Sequence, residues 1–168
     1  NAAYLDMSLP YAAGSMYSTV EDLYKWDQAL YNYTLLSKEL SEKYFTPNLQ
    51  KYAYGWSIQE NTLPNGKKLK IVTHDGGIHG FNTNITRIVS EKHLIVILNN
   101  TSRAPVDEMS EKITHILENL PVEKPKHTIA FHLKDAKTPD EYVKKLQQLK
   151  KEDPKIIVES DINNLGYH

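Results

Sequence analysis

Apolar residues in "STVEDLYKWDQALY" recur at Val20, Leu23, Trp26, Ala29 and Leu30, a helical spacing that gives one apolar face. Two start signals overlap at its head. Ser18 has Glu21 three residues on and Thr19 has Asp22, so either can cap. "LSKELSEKYFTP" predicts a second, shorter helix, with Ser37 as cap and Pro47 beyond its end. The residues before this region, ending in "PYAAGSMY", carry turn chemistry and no sustained period, and read as loop.

Past Pro47 the period shortens to that of strands. "YGWSIQE", Tyr54 to Glu60, predicts a strand, and "PNGKK", Pro64 to Lys68, a turn. "KLKIVTH" predicts the next strand, followed by a cluster of glycines. "FNTNITRIV" alternates from Phe81 to Val89, "SEKH" turns, and "LIVILNN" has the continuous apolar character of a buried central strand. Short connections between consecutive strands imply an antiparallel meander. "APVDEMSEKITHILENL" then predicts a helix with Pro105 in its first turn. Val106, Met109, Ile113, Ile116, Leu117 and Leu120 form the face expected to pack on the sheet. The fold class expected is therefore α/β, an antiparallel sheet with packed helices.

After Leu120 the character changes. "PVEKPK" resembles a linker, and "TPDEYVKKLQQLKK" predicts a helix with Thr138 as cap, Pro139 in the first turn and Glu141 completing the box. Tyr142, Val143, Leu146 and Leu149 form its apolar side, and its lysines a solvated face. The expected organisation is a first region over residues 1–120 and a linker with a helical appendage over residues 121–168. "ESDINNLGYH" looks like a helix just beginning, which suggests a fragment.

Composition narrows the function classes. The 168 residues are 40% hydrophobic and 24% charged with a formal net charge of -1, so nothing favours a nucleic acid or an anionic membrane surface as partner. The absence of cysteine removes disulfides, thiolate nucleophiles and cysteine-based metal sites. No apolar run approaches the roughly 20 residues that span a bilayer, and the N-terminus "NAAYLDMSLPY" lacks a basic region and an apolar signal core.

The candidate chemistry lies in "KIVTHDGGIHGFNT", Lys70 to Thr83, where His74 and Asp75 meet Gly76, Gly77 and Gly80. A hairpin needs only one or two glycines, so the segment either lets something approach the backbone closely or is an irregular turn. For His74 the plain reading is a surface histidine ending a strand. His74 and His79 lie five residues apart, which matches neither a helix-face ligand pair nor a known ligand string, so no metal is expected. Tyr52, Tyr54 and Trp56 read as core and hairpin packing, and Ser18, Thr19 and Asp22 as capping residues.

In two segments the chain resembles the serine β-lactamase-like family, which includes class C β-lactamases, D-Ala-D-Ala carboxypeptidases, low-molecular-weight penicillin-binding proteins and related esterases. "AAGSMYSTVEDLYKW" is similar to that family's glycine–Ser-Thr–acidic–Asp-Leu helix start. "THDGGIHGFNT" followed by "HLIVILNN" resembles its third active-site strand, where many members carry His-x-Gly in place of Lys-Thr-Gly. The resemblance runs from about Tyr11 to Leu120. It implies an amide or ester hydrolase (peptidase, esterase or β-lactamase type) working through an acyl-enzyme, with no cofactor and a small peptide, ester or β-lactam-like substrate. It also implies that His74, Asp75 and Gly76 form the substrate-binding motif, with His74 positioning substrate or assisting proton transfer. The backbone N–H of Gly77 would be an oxyanion donor. By the same resemblance the protein would be periplasmic, secreted or envelope-associated.

Other parts of that machinery are missing. No serine here has lysine three residues on, and there is no Tyr-x-Asn. In the family both precede the helix start seen at Ser18. The expectation is that this chain is the C-terminal half of the catalytic domain, inactive alone, and able to self-associate through an exposed sheet edge. A histidine at position 74 is mostly neutral near neutral pH, its reference pKa being about 6.5, whereas the family's lysine is a permanent cation. Asp75 would repel a carboxylate if it faced the pocket, and strand alternation can turn it away. Together these favour an ester or peptide with a weakly charged or amine-bearing tail over a β-lactam. The rival is a non-catalytic penicillin-binding-like module for binding or sensing. "DINNLGYH" is similar to the first helix of a tetratricopeptide-like unit, though one half-motif does not establish a repeat.

Overall fold

The computed structural model describes residues 2–102, 104–123 and 132–152. Two compact units make up the chain, Asn1–Val122 and Glu123–His168. In the first unit, helix α1 (Val20–Tyr31) is capped by Thr19, whose hydroxyl accepts from the Asp22 N–H at 3.1 Å. Thr19, not Ser18, is therefore the cap. Ser37 caps α2 (Lys38–Tyr44) by accepting from the Leu40 N–H at 3.2 Å. Strands β1 (Ser57–Thr62), β2 (Lys68–Ile78), β3 (Phe81–Ile88) and β4 (His93–Asn99) form one antiparallel sheet in the order β1-β2-β3-β4. Helix α3 (Val106–Leu117) follows, with Pro105 just before its first turn and not inside it.

Three expectations shift. Tyr54, Gly55 and Trp56 precede β1, because Gly55 turns the chain at φ +77° and the Ala53 N–H closes the turn on the Trp56 carbonyl at 2.7 Å. β2 runs through Gly76 and Gly77, which pair with Thr83 and Asn82. Only His79 and Gly80 lie outside the ladder, Gly80 taking the turn at φ +85°. β4 has the composition of an interior strand, yet among the described residues it is the sheet's edge and only Ile95 is fully buried.

The sheet has two unlike faces. On one, Leu30 of α1 packs with Ala53, Trp56, Ile58 and Val72, and Trp26, Phe45 and Ile85 close around them. Trp26 stacks on Trp56 with ring centroids 5.5 Å apart. Into this apolar layer β3 sends Arg87, 2% exposed, whose Nε lies 2.5 Å from an Asp27 carboxylate oxygen on α1. The guanidinium lies over the Tyr31 and Phe45 rings at 4.7 and 5.1 Å. Burial pushes the Tyr31 phenol above its ordinary pKa, against the pull of Arg87.

On the other face Leu63, Leu69, Ile71, Ile88 and Ile95 form the core, with Ile113 of α3 and Leu120 against them. Toward the glycine end this face becomes polar. Thr73, Asn84 and Thr86 stand there, and α3 answers with Ser110, which donates to the Thr86 hydroxyl at 2.9 Å, and Asp107, which accepts from Asn84 at 2.9 Å. The buried side of α3 is thus Val106, Ser110 and Thr114, while Met109, Ile116 and Leu117 stay substantially exposed. The expected all-apolar face is rotated because the sheet beneath offers hydroxyls.

In the second unit α4 (Pro139–Glu152) is capped by Thr138, whose hydroxyl accepts from the Glu141 N–H at 3.3 Å; Glu141 in turn accepts from the Lys137 N–H. Leu133, Tyr142, Leu146 and Leu149 make its own small cluster, and Val143 is exposed. The tetratricopeptide-like stretch at 161–168 lies outside the described residues, as does the second half of the "PVEKPK" linker.

Candidate functional site

The glycine segment occupies an open strand edge. β1 accompanies β2 only as far as the Ser57↔Thr73 pair, and among the described residues nothing pairs with that edge from His74 to Ile78. Which backbone groups face outward follows from the ladder. The Leu63 N–H donates to the Lys67 carbonyl at 2.8 Å beside the β1–β2 turn. Counting in twos along an antiparallel pair, Leu69, Ile71 and Thr73 turn their N–H and C=O groups toward β1. Asp75 and Gly77 continue that series past the end of β1. Their backbone groups therefore point to the open edge, while those of His74 and Gly76 point to β3.

Side chains alternate in the opposite sense. His74 stands on the α1 face and Asp75 on the α3 face, beside an open groove of about 840 Å³ whose lining also includes Tyr52, Thr73, Asn84, Asp107 and Ser110. The two ionisable neighbours in sequence thus leave opposite faces of the strand, and both line that groove.

The glycines differ in what they permit. A β-carbon on Gly76 would meet the Thr83 hydroxyl oxygen at 2.6 Å, so tight packing against β3 accounts for that residue. A β-carbon on Gly77 would meet nothing within 4 Å among the described residues, and the backbone there is ordinary strand. The fold itself gives no reason for glycine at 77. Gly80 supplies the turn, and its N–H donates to the Ser102 hydroxyl at 2.8 Å.

One site residue escaped the sequence reading. Tyr52, expected as packing, places its hydroxyl 2.9 Å from His74 Nε2. Trp56 of the same cluster is core, buried to 1% exposure, whereas Tyr52 is 43% exposed. Tyr52 is held by a tight turn in which Gln50 and Lys51 have φ of 48° and 64° and the Tyr52 N–H donates to the Leu49 carbonyl at 2.7 Å. Two consecutive positive φ values are the type I′ pattern. For residues other than glycine such a conformation costs of order 1–3 kcal/mol each. The structure makes the approach through pairing: Tyr52 bridges to Ser57, and Ser57 pairs with Thr73, next to His74.

His79 stands apart from His74, at the hairpin tip in a separate hollow with Ala2, Phe81 and Ser102. Among the described residues no group of three His, Asp or Glu gathers as a metal site. No helix among them is long and apolar enough to cross a membrane.

Comparison with known proteins gives two relatives. Penicillin-binding protein 4* of Bacillus subtilis strain 168 is 29% identical over 120 residues, covering 67% of this chain and 26% of that protein. The PbpX protein of the same strain, whose name assigns it provisionally to the same group, is 29% identical over 114 residues, covering 67% of this chain and 27% of its own length. This chain therefore spans about a quarter of the length of the curated relatives it matches. No established family profile and no solved structure matches it. The sequence likeness, with a four-stranded antiparallel sheet and helices packed on both its faces, makes this chain similar to the penicillin-binding proteins and supports the resemblance to the serine β-lactamase-like family.

Proposed function

We propose that the chain provides one wall of the acyl-transfer site of a serine hydrolase that cleaves an amide or ester, the nucleophile coming from residues outside this sequence. The observation that carries the reading is Gly77, a bare residue on an open strand edge where the fold does not require glycine. A backbone N–H aimed outward from such an edge can donate to a developing oxyanion, and a side chain beside it would stand where the substrate lies. His74, presented on the α1 face, would contact substrate as a hydrogen-bond donor. Gly76 keeps the strand closely packed behind the motif, and the groove that His74 lines also carries the carboxylates of Asp75, Asp107 and Glu111. That arrangement favours a weakly charged or amine-bearing ester or peptide over a β-lactam.

The edge position of β4 supports a larger parent sheet. An apolar strand from Leu94 to Leu98 is suited to having neighbours on both sides. In this reading residues 1–120 are the C-terminal part of the hydrolase domain, 121–168 are a linker and helical appendage, and the intact protein works at the cell envelope. The 168-residue chain alone would self-associate through its open edges.

The deciding experiment is labelling with a fluorophosphonate or penicillin probe, on this chain and on the longer protein that contains it. The longer protein should label at a Ser-x-x-Lys serine and this chain should not. Labelling of the chain itself would overturn the placement of the nucleophile. A longer protein that binds the probe reversibly, without a covalent adduct, would be a binding module. Gly77→Ala adds a second measurement: it should raise the folding stability of this chain by about 0.5–1 kcal/mol while lowering turnover of the longer protein severalfold. Full turnover with alanine or valine at 77 would show that substrate does not need the open space beside that N–H.

A further inference from the structure

We propose that Tyr52 is a positioning residue for His74, fixing which ring nitrogen carries the proton and hence what the site accepts. The inference rests on the reading of His74 as a substrate contact, but its structural half stands by itself. The Tyr52 hydroxyl lies 2.9 Å from Nε2, and the two rings are tilted by 60° with centroids 6.1 Å apart, an edge-on hydrogen bond rather than a stack. A phenol is the better donor of this pair and an imidazole nitrogen the better acceptor, so the bond runs from the Tyr52 O–H to Nε2. Neutral imidazole has one proton for its two nitrogens. Occupying Nε2 as acceptor therefore places that proton on Nδ1, the minority form in free histidine.

Two features show that the contact is built. Gln50 and Lys51 hold unfavourable positive φ values, and the turn they form delivers Tyr52 to this position. Ile58 then fastens the turn by donating its N–H to the Lys51 carbonyl at 2.8 Å. Among the described residues nothing is bonded to His74 Nδ1, so the Nδ1–H remains available as a donor. It is the ring nitrogen nearer the main chain. An uncharged N–H there suits an acceptor oxygen, such as the carbonyl or ether oxygen of an ester or amide, and makes no demand for a carboxylate.

The test is histidine-selective ¹⁵N NMR of the 168-residue chain at a pH where imidazole is neutral. His74 should show a protonated Nδ1 and an unprotonated Nε2. In Tyr52→Phe the signals should move toward the Nε2-protonated form of free histidine, while the other six histidines, of seven in the chain, keep their shifts and report an intact fold. An Nε2-protonated His74 in the unmodified chain overturns the inference even if the variant fails to fold, and so does an unchanged tautomer in a folded variant. Kinetics of the longer protein separate the two claims. A tautomer change with no change in kcat/KM keeps the Tyr52–His74 link and rejects His74 as a substrate contact. A severalfold fall that His74→Ala does not deepen upholds both.

Discussion

The two faces of the sheet bury polar groups by opposite means. Against α1, one full charge pair, Arg87 with Asp27, sits in an aromatic and aliphatic layer and is about 98% removed from solvent. Against α3, among the described residues, no charge is as deeply buried as that pair, and a chain of neutral groups spreads the polarity. Thr73 and Thr86 hydroxyls meet at 2.9 Å, Thr86 donates to Asn84 at 2.8 Å, and Ser110 donates to Thr86. The charge pair works only if both partners are present, whereas the hydroxyl chain has alternatives at each link. The same strand pair thus carries a stiff face and a graded one, and His74 stands on the stiff side.

The largest effect should come from breaking the charge pair. Asp27 satisfies Arg87 with one carboxylate oxygen and accepts from the Gln28 side chain with the other at 3.0 Å. Asp27→Ala leaves a guanidinium buried among Tyr31, Phe45 and Trp56 with no counter-charge, and should cost about 3–5 kcal/mol in denaturant unfolding. Replacing both partners, Asp27→Leu with Arg87→Met, should recover most of that loss. If the double variant is as unstable as the single one, the pair is doing more than satisfying itself, and the contrast between the faces is wrong.

On the graded face the corresponding change is Thr86→Val, which keeps the shape and removes the hydroxyl. Thr73, Asn84 and Ser110 each lose one partner, but Asn84 retains Asp107 and Thr73 retains the Ile85 carbonyl at 3.0 Å. The expected loss is about 1–3 kcal/mol, less than on the other face. A loss as large as that of Asp27→Ala would mean that the hydroxyl chain is also all-or-none.

The helices, the strands and their antiparallel order were legible because period and caps are local: Thr19, Ser37 and Thr138 all cap as their spacing implies. The buried pair was not, because Asp27 and Arg87 lie 60 residues apart and each looks like a surface residue alone. A signal was present nonetheless. Asp27 interrupts the apolar stripe between Leu23 and Leu30, and Arg87 falls between Ile85 and Val89, on the alternation that faces α1. For the site, His74 and the glycines stood out by composition. Tyr52 did not, since its approach depends on a turn at Gln50–Lys51 that contains none of the residues that normally announce positive φ. The rotation of α3 was hidden for a similar reason: Ser110 and Thr114 read as polar until the threonines beneath them are known.

The smallest effect tests the far end of the α3 face, where the polar contact is charged after all, with Lys67 and Glu91 partly exposed and the Glu118 side chain largely covered. Lys67, in the β1–β2 turn, reaches Glu118 at the end of α3 at 2.7 Å and Glu91 in the β3–β4 turn at 3.0 Å. Hydrogen bonds that Lys67 donates to Glu118 and then Glu91 raise the lysine above its ordinary pKa, and the lysine holds Glu91 below the usual carboxylate range. The signs fix two different pH windows. Glu91 contributes stability that is present above its unfolded pKa and is lost as pH falls through its lowered folded value. Lys67 contributes stability that is present below its unfolded pKa and is lost as pH rises through its raised folded value. In Lys67→Met the denaturant midpoint at neutral pH should therefore fall only modestly, since solvent reaches Lys67 and Glu91 and screens their charges. The profile should also flatten at its acid and alkaline ends relative to the parent. An acid limb as steep as the parent's would show that Glu91 owes its stability to something other than Lys67. A large loss at neutral pH would show that the charge there is as critical as the one buried under α1.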